Sequence, residues 1–346
     1  MRYSPLKALT SALFALALAL PALPVQAEDG RLVTDATGRA VAVPGDPSRV
    51  FAAGPPASTL LYTLKPAAMI GWVRAPKPGD LAYLLPEVAD LPELGRLTGK
   101  GDTLNLEVLL AAQPDLIIDY GSVNDTYRDL ATRVQEQIST PYVLLDASFA
   151  KMPEVIRQAG EILAVPERAE VLAGYAETTF ADIDALLARI PEAERPGVYL
   201  ARGPEGLESA PRGALNAEII ERAGGRNVVE ASAAGLVTAS PEQLQAWAPD
   251  IILTMDRDFA KNVANMPEWQ GIPAVANGRI YLAPAAPFGF IDVPPSVNRL
   301  IGLKWLMHRF YPAKAEGDLH HEVAAFYELF YGVTPDTAAV AALLGE

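Results

Sequence analysis

The chain has 346 residues, half of them apolar, with 42 acidic against 28 basic side chains and no cysteine. That composition supplies enough apolar material for two ordinary cores and argues against disorder, while a formal charge of −14 disfavours nucleic acid as a partner. Without a thiol, disulfides, thiolate metal sites, a cysteine-linked lipid anchor and cysteine catalysis are excluded.

Residues 1–27 read as a secretory signal peptide. Arg2 and Lys7 form the basic start, "ALTSALFALALALPAL" is the apolar stretch, and Val25 and Ala27 are the small residues before a cleavage site ahead of Glu28. Cleavage would take the formal charge to −16, since Arg2 and Lys7 leave with the leader. The expected product is a monomeric periplasmic protein. A retained N-terminal anchor is the alternative.

"RLVTDATGRAVAVP" alternates about Thr37-Gly38 and predicts a β-hairpin from Arg31 to Pro44. "RVFAAG", "MIGWV", "DLIIDY" and "YVLLDA" then read as short strands buried on both faces, separated by helical spacing such as Leu106, Leu109 and Leu110. From Met152 to Ile190 the pattern is helical throughout, broken at Pro166, with a second helix about two dozen residues long. The strand–helix rhythm resumes in "GVYLA", "NVV", "DIILTM" and "RIYLA", and helices are predicted from Val293 to Tyr311 and from Glu316 to Tyr331. The organisation is therefore a leader (1–27), an α/β lobe (28–151), a helical connection (152–190) and a second α/β lobe with terminal helices (191–346). Strands alternating with helices predict mainly parallel sheets, and ligands of such sheets bind beyond the carboxyl ends of the strands. Two such lobes face each other across a cleft.

One phrase occurs twice. "LEVLLAAQPDLIID" starts at Leu106 and "PEQLQAWAPDIILT" at Pro241. Pro114 and Pro249 end a helix, and Asp115 and Asp250 open a strand. Asn105 and Ser240 are N-cap residues. Glu107 and Glu242 fall in the first helical turn, where the helix dipole favours a carboxylate by about 0.3–1 kcal/mol. Dipole pairing explains one such residue; a matched pair near the mouth of a cleft also suits a partner.

No nucleophile elbow, zinc-protease motif, EF-hand or phosphate loop is present. Lys100 in "GRLTGKGDT" follows Gly95 one residue too closely for a phosphate loop, and Gly224-Gly225 read as a helix cap. The histidines, His308, His320 and His321, do not share a helix face as metal ligands would.

"VTDATGRAVAVPGDPSRV", "LNLEVLLAAQPDLII", "NAEIIERAGGRNVV", "ASPEQLQAWAPDIIL", "NGRIYLAP" and "FYELFYGV", in this order, resemble the periplasmic solute-binding proteins of ABC importers for iron siderophores, haem and vitamin B12. The likeness runs through essentially the whole chain after the leader. It implies two Rossmann-like lobes with mainly parallel sheets, joined by a single long helix that allows little movement, with the ligand in the cleft between them. It implies no enzymatic activity and no intrinsic cofactor. The cargo it implies is a ferric siderophore-type chelate, with haem or cobalamin as alternatives and no metal ligand assigned. By the same resemblance Glu107 and Glu242 contact arginines on the two subunits of an inner-membrane permease. Family members often carry a glutamate in the first helix where this chain has Thr59, so no docking role is expected there.

Strand ends mark the expected cleft residues: Pro55, Pro56, Trp72, Arg74, the loop around Lys100 and Tyr120 from the first lobe; Arg202, Glu208, Arg212, Asp256, Arg257, Phe288, Phe290 and Asp292 from the second. Trp72, Tyr120 and Phe288 would form aromatic walls, with Phe290 beside them, and the arginines would pair with chelate oxygens. Tyr120 is also a candidate haem ligand. Trp72 and Tyr120 equally suit a lobe core, and Arg202 and Arg212 an ordinary charged surface. An exported α/β enzyme would need a base-paired nucleophile, which the motifs do not supply.

Overall fold

A computed structural model of the protein describes residues 30–99, 106–230 and 235–346. The expected leader, Lys100 and Asn105 lie outside the described residues. Strands β1 (Arg31–Thr34) and β2 (Ala40–Val43) form the expected antiparallel hairpin. Asp35 shapes its turn, accepting from Thr37 and Arg39 through backbone and side chain. Burial would raise the Asp35 pKa, but the bonds from Thr37 and Arg39 hold it below the usual value.

The first lobe contains β3 (Val50–Ala52), α1 (Pro55–Leu64), α2 (Pro86–Ala89), α3 (Leu106–Ala112), β4 (Leu116–Gly121), α4 (Asp125–Ile138) and β5 (Tyr142–Asp146). Its strands pair in parallel in the order β3-β4-β5. "MIGWV" does not become a full strand. It contributes parallel bridges from Met69 to Val50 and from Trp72 to Glu93, so it runs along the outer side of β3. Helices α5 (Met152–Ile162) and α6 (Pro166–Leu187) follow. The 22 residues of α6 reach about 33 Å at the helical rise.

The second lobe contains β6 (Gly197–Ala201), β7 (Glu208–Ser209), α7 (Glu218–Arg222), β8 (Arg226–Asn227), β9 (Val237–Thr238), α8 (Pro241–Trp247), β10 (Ile251–Thr254), α9 (Arg257–Asn262), α10 (Pro273–Ala276) and β11 (Ile280–Leu282). Its parallel sheet has the order β11-β10-β6-β8, and β7 and β9 form a small antiparallel ribbon. Counted along the chain, each sheet is therefore arranged second-first-third-fourth. The lobes are two copies of one topology.

The chain closes with α11 (Arg299–Phe310), α12 (Leu319–Tyr331) and α13 (Thr337–Leu344). α11 starts six residues later than its apolar pattern suggested. Val293 sits at φ 57 and prolines occupy 294 and 295, while Asp292 accepts from the Val293 N–H. These features hold the segment out of a helix. The terminal helices also reach back to the first lobe: α12 packs on α1, and the Tyr62 hydroxyl donates to Tyr331 O at 2.8 Å while accepting from Leu85 N. The lobes are thus held by more than the connecting helix.

The duplicated phrase has a structural reason in both copies. Gln113 and Ala248, each before its proline, turn at φ 47 and φ 42. Asp115 then accepts from Ser48 N and Arg49 N at the start of β3, and Asp250 accepts from Gly197 N at the start of β6. In each lobe the Pro-Asp step ends a helix and stitches the third strand to the first.

Candidate functional site

Both sheets direct their strand carboxyl ends toward the seam between the lobes, and contacts at two places show how they meet. The ring of Trp72, from the outer side of β3, lies 6.0 Å from that of Phe288, just after β11. Past the end of β5, Ala147 O accepts from Arg299 Nη2 at 2.8 Å and Phe149 N donates to Glu218 Oε2 at 2.9 Å. The second strand of the first lobe thus meets the fourth of the second, and the fourth of the first meets the α7–β8 side of the second. This is a pseudo-twofold arrangement. By the strand orders, β3 and β4 on one side and β6 and β10 on the other lie between these two contacts.

On the first-lobe side the backbone is closely packed. Leu97 N and Thr98 N both donate to Ala53 O, and a Cβ on Gly54 would lie 2.4 Å from Thr98 Oγ1, so this position requires glycine. Thr98 Oγ1 donates to Asp119 Oδ1 at 3.2 Å and the Tyr142 hydroxyl to Oδ2 at 3.1 Å. Burial pushes Asp119 up to about 6, against the opposing pull of these two hydrogen bonds. Asp119 was not anticipated; inside an apolar strand it carries no motif.

On the second-lobe side, Arg202 at the end of β6 is already committed. Its Nε donates to Glu208 Oε1 at 3.2 Å and its Nη1 to Asp292. Asp292 is buried and also accepts from Asn216 Nδ2 and Val293 N, each at 2.8 Å. Nη2 of Arg202 takes part in none of these bonds. Arg212 is committed elsewhere, pairing with Glu221 and Glu230 and donating to Asn227 O. Arg257 opens α9 after Asp256, which caps the helix by accepting from Phe259 N. Arg257 and Arg74 are exposed, and their side chains make no hydrogen bond or ion pair among the described residues.

Of the two readings open for the aromatic side chains, their burial favours the core. Trp72 is 2% exposed, with its indole donating to Val88 O, and packs with Tyr62 and Phe288. Tyr120 is 1% exposed, and its hydroxyl lies close to the Arg299 guanidinium. Burial raises its pKa despite the neighbouring Arg299, and the side chain presents almost no surface to a ligand in the cleft. Phe290 is fully buried in the second lobe. These side chains are core because strand ends in this fold are covered by loops and helices. Phe288 alone among them remains half-buried.

Glu107 and Glu242 are both exposed in the first turns of α3 and α8. Ser240 caps α8 in a complete capping box, and its hydroxyl also donates to Glu242 Oε2, holding that carboxyl below its usual pKa. Beside Glu107, Val108 and Leu110 are 41% and 51% exposed. Among the described residues no cluster of three His, Cys, Asp or Glu side chains is placed to hold a metal, and no helix is long and apolar enough to cross a membrane.

The periplasmic binding protein family model matches residues 83–287. A molybdate-binding protein of Haemophilus influenzae is 24% identical, over 94% of this chain and 98% of the relative. Among solved structures, an ABC transporter solute-binding protein from Sulfurospirillum deleyianum superposes with a TM-score of 0.83 at 29% identity, covering 91% of this chain and 99% of the other. A protein of an Fe3+-hydroxamate transport system from Saccharomonospora viridis shares the fold, with a TM-score of 0.60 at 19% identity over 81% of this chain and 99% of the other.

Proposed function

The chain belongs to the periplasmic binding protein family, the solute-binding components of ABC importers, and from that premise we propose that it captures a compact anionic metal species and presents it to a permease. The observation that carries the reading is the set of arginines beyond the strands of the two lobes. Arg74 and Arg257 are exposed and uncommitted, and Arg202 is held by Glu208 and Asp292 with Nη2 outside those bonds. Guanidinium groups placed in this way suit the oxygens of an oxyanion. The aromatic surface that a large planar or catecholate ligand would use is mostly buried. The relative that binds molybdate supports a tetrahedral oxyanion as the cargo. A ferric siderophore-type chelate is the second reading, favoured by the half-buried Phe288 at the cleft edge and by the Fe3+-hydroxamate system among the structural neighbours. Haem and cobalamin have no comparable support from the cleft.

The carboxylates Glu107 and Glu242 are the handles for the permease in this reading, one per lobe across the pseudo-twofold axis. The leader sends the protein to the periplasm. Titration calorimetry with molybdate, sulfate and a ferric trihydroxamate tests the cargo. Molybdate binding that weakens at least tenfold in Arg257→Ala supports the oxyanion reading. Binding of the hydroxamate alone would transfer the assignment to the chelate, and binding of none of the probes would refute both.

A further inference from the structure

We propose that Arg299 and Glu218 form a joint that fixes the angle between the lobes, and with it the width of the cleft. Arg299 opens α11, where a cation opposes the helix dipole, so local helix energetics do not explain it. Its side chain is completely buried. Nη2 donates to Ala147 O of the first lobe at 2.8 Å, and Nη1 to Leu215 O of its own lobe at 3.2 Å. Nη1 also lies 3.4 Å from Glu218 Oε2, and that same oxygen accepts from Phe149 N of the first lobe at 2.9 Å. The guanidinium covers the Phe149 ring at 4.5 Å.

Residues 147–149 are the point where the chain leaves β5 for α5. A second-lobe cation and a second-lobe anion therefore each hold a backbone group of the first lobe at its exit, and the two hold each other. Rotating the lobes would strip acceptors from a fully buried guanidinium, which is far costlier than sliding one surface over another. At the opposite end the lobes meet through the Trp72 and Phe288 rings and through the Tyr62 hydroxyl, which donates to Tyr331 O. The Arg299–Glu218 joint sets the geometry at its own end of the cleft. The consequence for ligand size rests on the cleft being the binding site; the lobe geometry does not.

Because the chain lacks cysteine, Glu136→Cys on α4 and Lys261→Cys on α9, both exposed positions, provide a single pair of spin-label sites across the lobes. Pulsed dipolar spectroscopy of the ligand-free protein reads their separation. Glu218→Ala and Arg299→Met are expected to broaden the distance distribution, whereas Glu218→Gln, which keeps an oxygen for Phe149 N, retains the parent distribution. A cavity of about 650 Å3 lined by Phe149, Glu218 and Arg222 gives solvent access to the joint. Hydrogen exchange at Phe149 N should accordingly speed up about tenfold or more in Glu218→Ala. Unchanged distributions in both disrupted variants, even with lowered Tm, would overturn the inference and assign lobe orientation to α6 and the terminal helices. If Arg299→Met does not fold, Glu218→Ala decides by the same criterion. A parent protein that binds neither anion nor chelate would refute the cargo while leaving this measurement intact.

Discussion

Replacing Asp119 by Asn should remove a specific pH dependence from the stability of the first lobe. The two side chains have nearly the same shape, and the amide can accept from the Tyr142 hydroxyl while its NH2 faces Thr98 Oγ1. In the folded protein burial raises the Asp119 carboxyl from 3.8 to about 6. A raised folded pKa means that the folded state binds the proton more tightly. Its stabilising contribution is complete below about pH 4 and is lost as the pH rises through about 6. Two pKa units correspond to about 3 kcal/mol. Urea unfolding followed from pH 4 to pH 7.5 should show the Asn variant gaining about 3 kcal/mol relative to the parent across this window. Other titrating groups are common to both proteins and cancel in the difference. A difference that stays constant with pH would show that the Asp119 carboxyl is not raised, and would refute the assignment of a dry, weakly compensated site beneath Gly54 and Thr98.

Glu107→Arg combined with Glu242→Arg should leave anion affinity near that of the parent and abolish uptake in vesicles carrying the cognate permease; normal uptake would remove the docking role. Arg202→Ala strands the buried Asp292 carboxylate, so chemical denaturation should report a loss of about 3–5 kcal/mol, largely recovered in the double variant with Asp292→Asn. Gly54→Ala puts a methyl group 2.4 Å from Thr98 Oγ1 and should lower stability by about 1–3 kcal/mol in the same assay.

The cleft was partly legible in the residue pattern. Strand-end reasoning located Arg74, Arg202 and Arg257 correctly as loop and helix-start residues beyond the strands, because the β-to-helix boundary is written in local composition. It left Trp72 and Tyr120 open between cleft wall and core and did not foresee the burial of Phe290, because burial at a strand end depends on what packs over it, and α1, α11 and α12 come from distant parts of the chain. Asp119 and Glu218 gave no local signal, since one sits in an apolar strand and the other suits any helix start. Arg299 gave none either: the apolar pattern started the helix at Val293, and only the observed start at Arg299 reveals a cation that opposes the dipole and needs a tertiary explanation.

By itself the amino-acid sequence determined the elements, the two parallel α/β lobes, the helical connection and the duplicated Pro-Asp step. These follow from periodicity, proline and capping, which act within a few residues. It also placed Glu107 and Glu242 at equivalent helix starts. Only the tertiary structure decided that the two sheets share one strand order and face each other across a pseudo-twofold seam. It likewise decided that Arg202 is clamped by two carboxylates, and that Arg299 and Glu218 join the lobes. Those outcomes depend on which side chains meet across 69 to 152 residues of chain, and no local preference encodes such meetings.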